Sequence, residues 1–104
     1  MKVCRDEVFG PVVAIQAYAS LDEALRLADD TRYGLQAGIF TSSLPSALRA
    51  ARELHFGTVL VNEVPTWRAD QMPYGGVRES GNTKEGPASA VREMTEERLV
   101  VIQP

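Results

Sequence analysis

Apolar positions along the chain fall into blocks of different period. Residues 12–18 (VVAIQAY) are an apolar, β-branched run that barely alternates, and Gly10-Pro11 stops anything helical before it. That pattern predicts a largely buried strand. Ser20 and Glu23 then stand at the spacing in which a hydroxyl and a carboxylate each satisfy an unpaired N–H at a helix start. Leu21, Ala24, Leu25 and Ala28 recur as one apolar face of a helix, and Gly34 is a break after it. Residues 36–41 (QAGIFT) predict a second strand. Ser43 caps a second helix, with Pro45 in its first turn, where a missing N–H costs nothing. The apolar face expected there is Leu44, Ala47, Leu48, Ala51 and Leu54. Gly57 ends that helix, and residues 58–61 (TVLV) form a third short strand running into Asn62.

Strand, helix, strand, helix, strand implies crossover connections and a parallel sheet, hence an α/β fold. A parallel sheet must be covered on both faces, and two short helices with faces mainly of Leu and Ala cover one. The sheet is therefore expected to need more protein than these residues supply. From Glu63 to Glu85 the periodicity fails, with Val64 and Val77 the only aliphatic branched residues. Trp67, Tyr74 and the Gly75-Gly76 pair mark this stretch as a long ordered functional loop, because disordered segments are poor in aromatics. Residues 87–94 predict a short helix beginning at Pro87. Residues 98–103 (RLVVIQ) are strongly β-prone with no partner in the chain, an exposed edge unless something pairs with it.

At 104 residues and 11.4 kDa the chain is one domain at most. Leu, Ile, Val and Phe make up a quarter of it, enough for a core. The net charge of −3 comes from interspersed acidic and basic residues, with no basic stripe to neutralise nucleic-acid phosphates. No run approaches the roughly 20 apolar residues of a membrane span, and Met1 to Glu7 holds no secretory apolar stretch. A soluble, cytoplasmic protein is expected. One cysteine, Cys4, excludes an internal disulfide and gives no metal-ligand spacing.

Most isolated candidates for chemistry are weak. Gly76 and Gly81, followed by Asn82-Thr83, fall near a phosphate-cradling loop, but Asn82 stands where its lysine belongs and no apolar strand leads into Gly76. His55, alone near a helix end, reads as a terminal polar group and not as a base. Cys4 has no nearby histidine and reads as a resting thiol. Glu7 and Phe9, ahead of Gly10-Pro11, are more informative, since a carboxylate can hold a ribose diol while a ring lines a flat heterocycle.

The ordered set of motifs then becomes specific. Glu7-Val8-Phe9-Gly10-Pro11-Val12, Asp22-Glu23-Ala24, Tyr33-Gly34-Leu35, Gly57-Thr58-Val59, Asn62 and Pro73-Tyr74-Gly75-Gly76-Val77-Arg78-Glu79-Ser80-Gly81 occur in sequence. Together they resemble the part of the aldehyde dehydrogenase superfamily near its C-terminus, over essentially the whole chain. Asn62 to Arg68, Met72-Pro73-Tyr74 and Glu93 to Glu96 look closest to members acting on small polar aldehydes. Those include lactaldehyde, phosphonoacetaldehyde and non-phosphorylating glyceraldehyde-phosphate dehydrogenases.

The resemblance implies an enzyme in which a cysteine attacks the aldehyde, hydride passes to NAD or NADP, and water activated by a glutamate releases the acid. It places Glu7 on the nicotinamide ribose hydroxyls and Phe9 beside the ring. Trp67, Arg68 and Tyr74 would line the aldehyde entrance, with Arg68 either pairing with an anionic substrate group or standing as a solvated charge. Asn62, Gly75 and Gly76 would support the site structurally. Residues 1–97 would belong to the catalytic domain, and 98–104 would form an oligomerisation strand and the C-terminus. The nucleophile and general base of the family lie upstream of the Glu7 segment, and Cys4 lacks the nucleophile's Gly-Gln context. No catalytic or metal-binding residue is therefore assigned. The expectation is a C-terminal part of an aldehyde dehydrogenase, inactive without the N-terminal portion and oligomeric through residues 98–103. A non-catalytic binding or assembly module that self-associates, or complements a separate N-terminal portion, is the competing expectation.

Overall fold

The structure is a computed structural model that describes residues 2–104. Met1 and the side chain of Cys4 lie outside that description. Helix α1 is Leu21–Asp29, strand β1 Gln36–Ile39, helix α2 Leu44–Glu53, strand β2 Thr58–Val61 and helix α3 Pro87–Glu93. Single 3-10 turns occur at Lys2–Cys4 and Arg78–Ser80.

Local chemistry accounts for the helix starts. Ser20 Oγ accepts from the Glu23 N–H at 3.2 Å, while the Glu23 carboxylate reaches back to the Ala19 N–H at 2.8 Å. Ser43 Oγ accepts from the Ser46 N–H at 3.3 Å, and Pro45 sits in the first turn of α2. Strands β1 and β2 pair in parallel, with Ala37 opposite Val59 and Ile39 opposite Val61. Ala37, Ile39 and Val59 lie against Leu25 of α1, Ala50 of α2 and Leu54 just beyond it, and this is the core.

The loop after β2 lies over part of the other face of the sheet, where Gly38 remains exposed. A side chain at Gly38 would run into the Glu63 carbonyl at 2.7 Å and Pro65 Cδ at 3.3 Å, so glycine lets that loop lie on the strand. Gln36 Nε2 donates to the Trp67 carbonyl at 3.1 Å from the same face.

Two expectations need correction. Residues 12–18 carry no ladder and are exposed throughout, Ile15 to 91%, where a buried strand was expected. A strand exists only with a partner, and β1 and β2 pair with each other alone. The buried side of α2 is Ala47 and Ala50, continued by Leu54, while Leu44, Leu48 and Ala51 of the expected face are exposed. The small alanines let α2 approach the two strands closely, and nothing in the described residues reaches the leucine side. Residues 98–103, expected to find no partner in the chain, pair with nothing among the described residues and are exposed. The radius of gyration of 18.1 Å, against about 13 Å for a compact chain of this length, reflects these unpacked segments.

Candidate functional site

The loop from Glu63 to Glu85 is tied to the sheet where β1 begins. The Gly34 carbonyl accepts from the Gly57 N–H at 2.9 Å and the Val77 N–H at 3.0 Å, and the Gly34 N–H donates to Ser80 Oγ at 2.9 Å. The backbones come so close that a side chain on Gly57 would fall on the Gly75 carbonyl, and one on Gly75 on the Thr83 carbonyl. Gly76 is buried, and a side chain there would meet Ser80 at 2.5 Å. The glycines thus let the loop close on itself and on the sheet. Lys84 Nζ adds a strap to the Gly75 carbonyl at 2.8 Å.

Arg78 anchors the same loop to the helices. It has φ 56°, a left-handed conformation that costs an L-residue about 1–2 kcal/mol. Its guanidinium donates to the carbonyls of Asp29 at 3.0 Å and Thr31 at 2.8 Å, and to Asp29 Oδ2 at 2.8 Å. Asp29 also accepts from the His55 N–H at 2.9 Å, and His55 Nδ1 lies 2.9 Å from Oδ2. Partial burial raises the Asp29 pKa, but the His55 backbone and ring hydrogen bonds and then Arg78 outweigh it, taking it down to about 2. Because an ionised carboxylate only accepts, the Nδ1 facing it carries the proton. His55 is a polar anchor beyond α2, as the sequence implies.

Farther along the loop, Arg68 Cζ stands 4.8 Å from the centre of the Tyr74 ring, within cation–π range. Its Nη1 approaches Glu85 Oε2 at 3.4 Å. Glu85 cannot drift, because it exchanges both backbone hydrogen bonds with Tyr74, at 2.6 and 3.1 Å, as an antiparallel bridge. Trp67 is half exposed, and its N–H closes a turn on the Val64 carbonyl at 3.0 Å. Asn62, at φ 58°, ends β2, and its Oδ1 accepts from the Thr41 N–H at 2.8 Å, joining the ends of the two strands. Asparagine tolerates that conformation well.

Glu7 and Phe9 lie on the N-terminal segment. Its neighbour Asp6 pairs with Arg32 at 3.3 Å. The Arg32 pKa is raised by the hydrogen bond to Tyr33, and further by Glu79 and Asp6. Glu7 is exposed and borders an open groove of about 460 Å³ whose wall includes Tyr33, Leu35, Glu79 and Ser80. Phe9 is 93% exposed. The carboxylate can accept from hydroxyl groups, and the uncovered ring two residues away offers a flat apolar face.

The structure therefore brings Arg68 to Tyr74, and Gly75 and Gly76 to the sheet. The groove beside Glu7 takes none of Trp67, Arg68 or Tyr74 into its wall. Sequence reasoning missed Glu85, Asp29 and Lys84 as members of this loop assembly, and it read Arg78 only as part of a motif. No local spacing signals them, since their partners lie 9 to 49 residues away in sequence.

The aldehyde dehydrogenase family profile matches residues 1–100. The 3-sulfolactaldehyde dehydrogenase of Priestia megaterium is 56% identical over 102 residues, covering 98% of this chain and 21% of that protein. The lactaldehyde dehydrogenase of Methanococcus maripaludis is 44% identical over 96 residues, covering 92% and 21%. The crystal structure of glyceraldehyde-3-phosphate dehydrogenase GapN from Methanocaldococcus jannaschii complexed with NADP superposes with a TM-score of 0.82 at 38% identity, covering 88% and 20%. The chain thus spans about a fifth of the length of the curated relatives it matches. With nearly every residue inside the family profile, and the fold shared at this identity, the chain belongs to the aldehyde dehydrogenase family.

Proposed function

We propose that this chain forms the C-terminal part of an NAD- or NADP-dependent aldehyde dehydrogenase that oxidises a small, negatively charged aldehyde to a carboxylic acid. Glu7 holds the nicotinamide ribose hydroxyls and Phe9 borders the ring. Bound there, the nicotinamide supplies the hydride acceptor. Trp67, Arg68 and Tyr74 line the entrance, and Arg68 pairs with the anionic group of the aldehyde. Asn62, Gly75 and Gly76 keep the loop in place, and residues 98–103 pair with a neighbouring subunit. The chain alone oxidises nothing.

The observation that carries this reading is Arg68 held on the Tyr74 ring, within a loop that closely apposed glycines tie to the sheet. One edge of a guanidinium fixed in this way remains open to a sulfonate, carboxylate or phosphate. The names of the relatives add support, since 3-sulfolactaldehyde carries a sulfonate and glyceraldehyde 3-phosphate a phosphate.

The test uses the complete enzyme with 3-sulfolactaldehyde and its uncharged counterpart, lactaldehyde. Arg68→Met is expected to lower the ratio of kcat/KM for the charged over the uncharged aldehyde at least tenfold, about the worth of one charge-assisted pair. An unchanged ratio refutes the anion reading. NAD(P)H formation by the purified 104-residue chain refutes the claim that it is inactive alone.

A second reading rests on the two apolar segments that pair with nothing among the described residues, 12–18 and 98–103. A non-catalytic module using them to self-associate would gain no activity when the remainder of the enzyme is added, whereas a complementing segment would.

A further inference from the structure

We infer that Gln36, on β1, is a positioning residue of the entrance loop: its side-chain amide fixes the turn that carries Arg68, and so sets how well that guanidinium meets an anionic aldehyde. The inference rests on the anion-binding role proposed for Arg68. It concerns a residue on the sheet beneath the loop, outside the motifs that identified the site.

Strand β1 meets the loop at two points, two residues apart and therefore on one face. Ala37 and Ile39 pack against the core on the opposite face, so burial fixes which residues β1 turns toward the loop. Gly38 presents no side chain, and the Glu63 carbonyl and Pro65 lie where one would stand. Gln36 does the reverse. It is half-buried, and its Nε2 donates to the Trp67 carbonyl at 3.1 Å. A carbonyl only accepts, so the amide must turn its NH2 group there, and a carboxylate of the same size could not replace it. Between the two points the chain is closed on itself. The Val64 N–H donates to Glu63 Oε1 at 2.8 Å and the Trp67 N–H to the Val64 carbonyl at 3.0 Å. The Trp67 carbonyl shares its rigid peptide plane with the N–H and Cα of Arg68. Gln36 thus sets the backbone end of Arg68 from the sheet, while the Tyr74 ring, 4.8 Å from Cζ, sets the guanidinium end.

Both contact points lie inside one strand–loop unit, and excluding more water from it would strengthen the hydrogen bond. Without the Gln36 amide, Arg68 occupies its binding position for a smaller fraction of the time, and the apparent affinity for an anion falls by that fraction. An uncharged aldehyde makes no use of the guanidinium and is affected less.

The test is made in the complete enzyme with 3-sulfolactaldehyde and lactaldehyde. Gln36→Met is close in size and adds no charge, but it removes the donor. It is expected to lower the ratio of kcat/KM for the charged over the uncharged aldehyde about two- to fivefold, the scale of one neutral hydrogen bond, with most of the change in KM for the charged one. In an Arg68→Met background the same substitution should no longer move the ratio, because the two residues act as one unit. Hydrogen exchange of a peptide covering 64–69 should quicken by a similar factor. Unchanged exchange or an unchanged ratio in Gln36→Met overturns the inference. So does an equal loss for both aldehydes, which marks a merely structural residue, or the same fall with and without Arg68. The two readings fail distinguishably. If Arg68→Met leaves the ratio intact, the anion-binding role falls and the positioning role with it. If Arg68→Met lowers the ratio while Gln36→Met leaves it unmoved, only the role of Gln36 falls.

Discussion

Replacing Asp29 with Asn tests how firmly the entrance loop is tied to the helices. Asp29 accepts from the His55 backbone, faces the His55 ring and pairs with Arg78 at 2.8 Å. Its pKa falls from 3.8 to about 2 in the folded protein. A depressed carboxylate pKa means that the stabilisation is fully present above the unfolded value, near pH 4, and is lost as pH falls through the folded value near 2. Taken at face value the shift corresponds to about 2 kcal/mol. The side chains of Asp29 and Arg78 keep 24% and 27% of their exposure, so solvent screening reduces this to about 1–2 kcal/mol. That equals about 5- to 30-fold in a local opening constant. The amides to watch are those of Val77 and Glu79, which donate to the carbonyls of Gly34 and Arg32. Hydrogen exchange of a peptide covering them, corrected for intrinsic rates, is expected to be about 5- to 30-fold faster in Asp29→Asn at pH 6. The native protein should lose roughly half of its advantage by pH 3, because the linkage window runs from about 4 down to 2. Equal exchange at pH 6, or a difference that does not narrow at pH 3, refutes the clamp.

Two further perturbations address packing. In the 104-residue chain, Leu54→Ala should cost about 2–5 kcal/mol, seen in the denaturant midpoint, whereas exposed Leu48→Ala should cost less than about 0.5. Equal losses would place the leucine side of α2 in a core that the structure does not contain. Gly57→Ala would drive its methyl group into the Gly75 carbonyl and should destabilise the loop by about 1–3 kcal/mol, read as faster exchange across 75–81. Native-like exchange in that variant would mean that the loop and β2 do not meet as described.

What could be read from the sequence was whatever chemistry within a few residues decides. Ser20 and Glu23 mark the start of α1, and Ser43 with Pro45 marks that of α2, because capping satisfies N–H groups of the same turn. The strands at 36–39 and 58–61 are legible because each packs on the intervening helix. Residues 12–18 were not, since β-propensity cannot say whether a partner strand is present. The face of α2 was misjudged for a related reason. Counting apolar positions favours Leu44 and Leu48, but only the side that meets a sheet is buried, and two strands meet the alanines. The motif Pro73 to Gly81 located the loop, yet the groups holding it lie outside the motif, Asp29 on α1 and Lys84 three residues beyond Gly81. Sequence spacing carries no trace of such contacts.

The use of Gly34 explains how a loop with so little regular structure is held in one place. One carbonyl receives the Gly57 N–H at the start of β2 and the Val77 N–H of the loop, and the N–H of the same residue is taken by Ser80. A shift of the loop by even one residue would break the Val77 and Ser80 bonds to Gly34 and take Gly75 away from Gly57, where the two backbones lie too close for a side chain on Gly57. Backbone groups left unpaired in that way cost about as much as the hydrogen bonds they lose. The loop therefore has one register on the sheet, fixed by main-chain contacts that do not depend on the side chains facing the entrance. Under the proposed function, Trp67, Arg68 and Tyr74 would then be free to vary with the aldehyde while the support beneath them stays the same, the division of labour expected where specificity is carried by loops on a rigid scaffold.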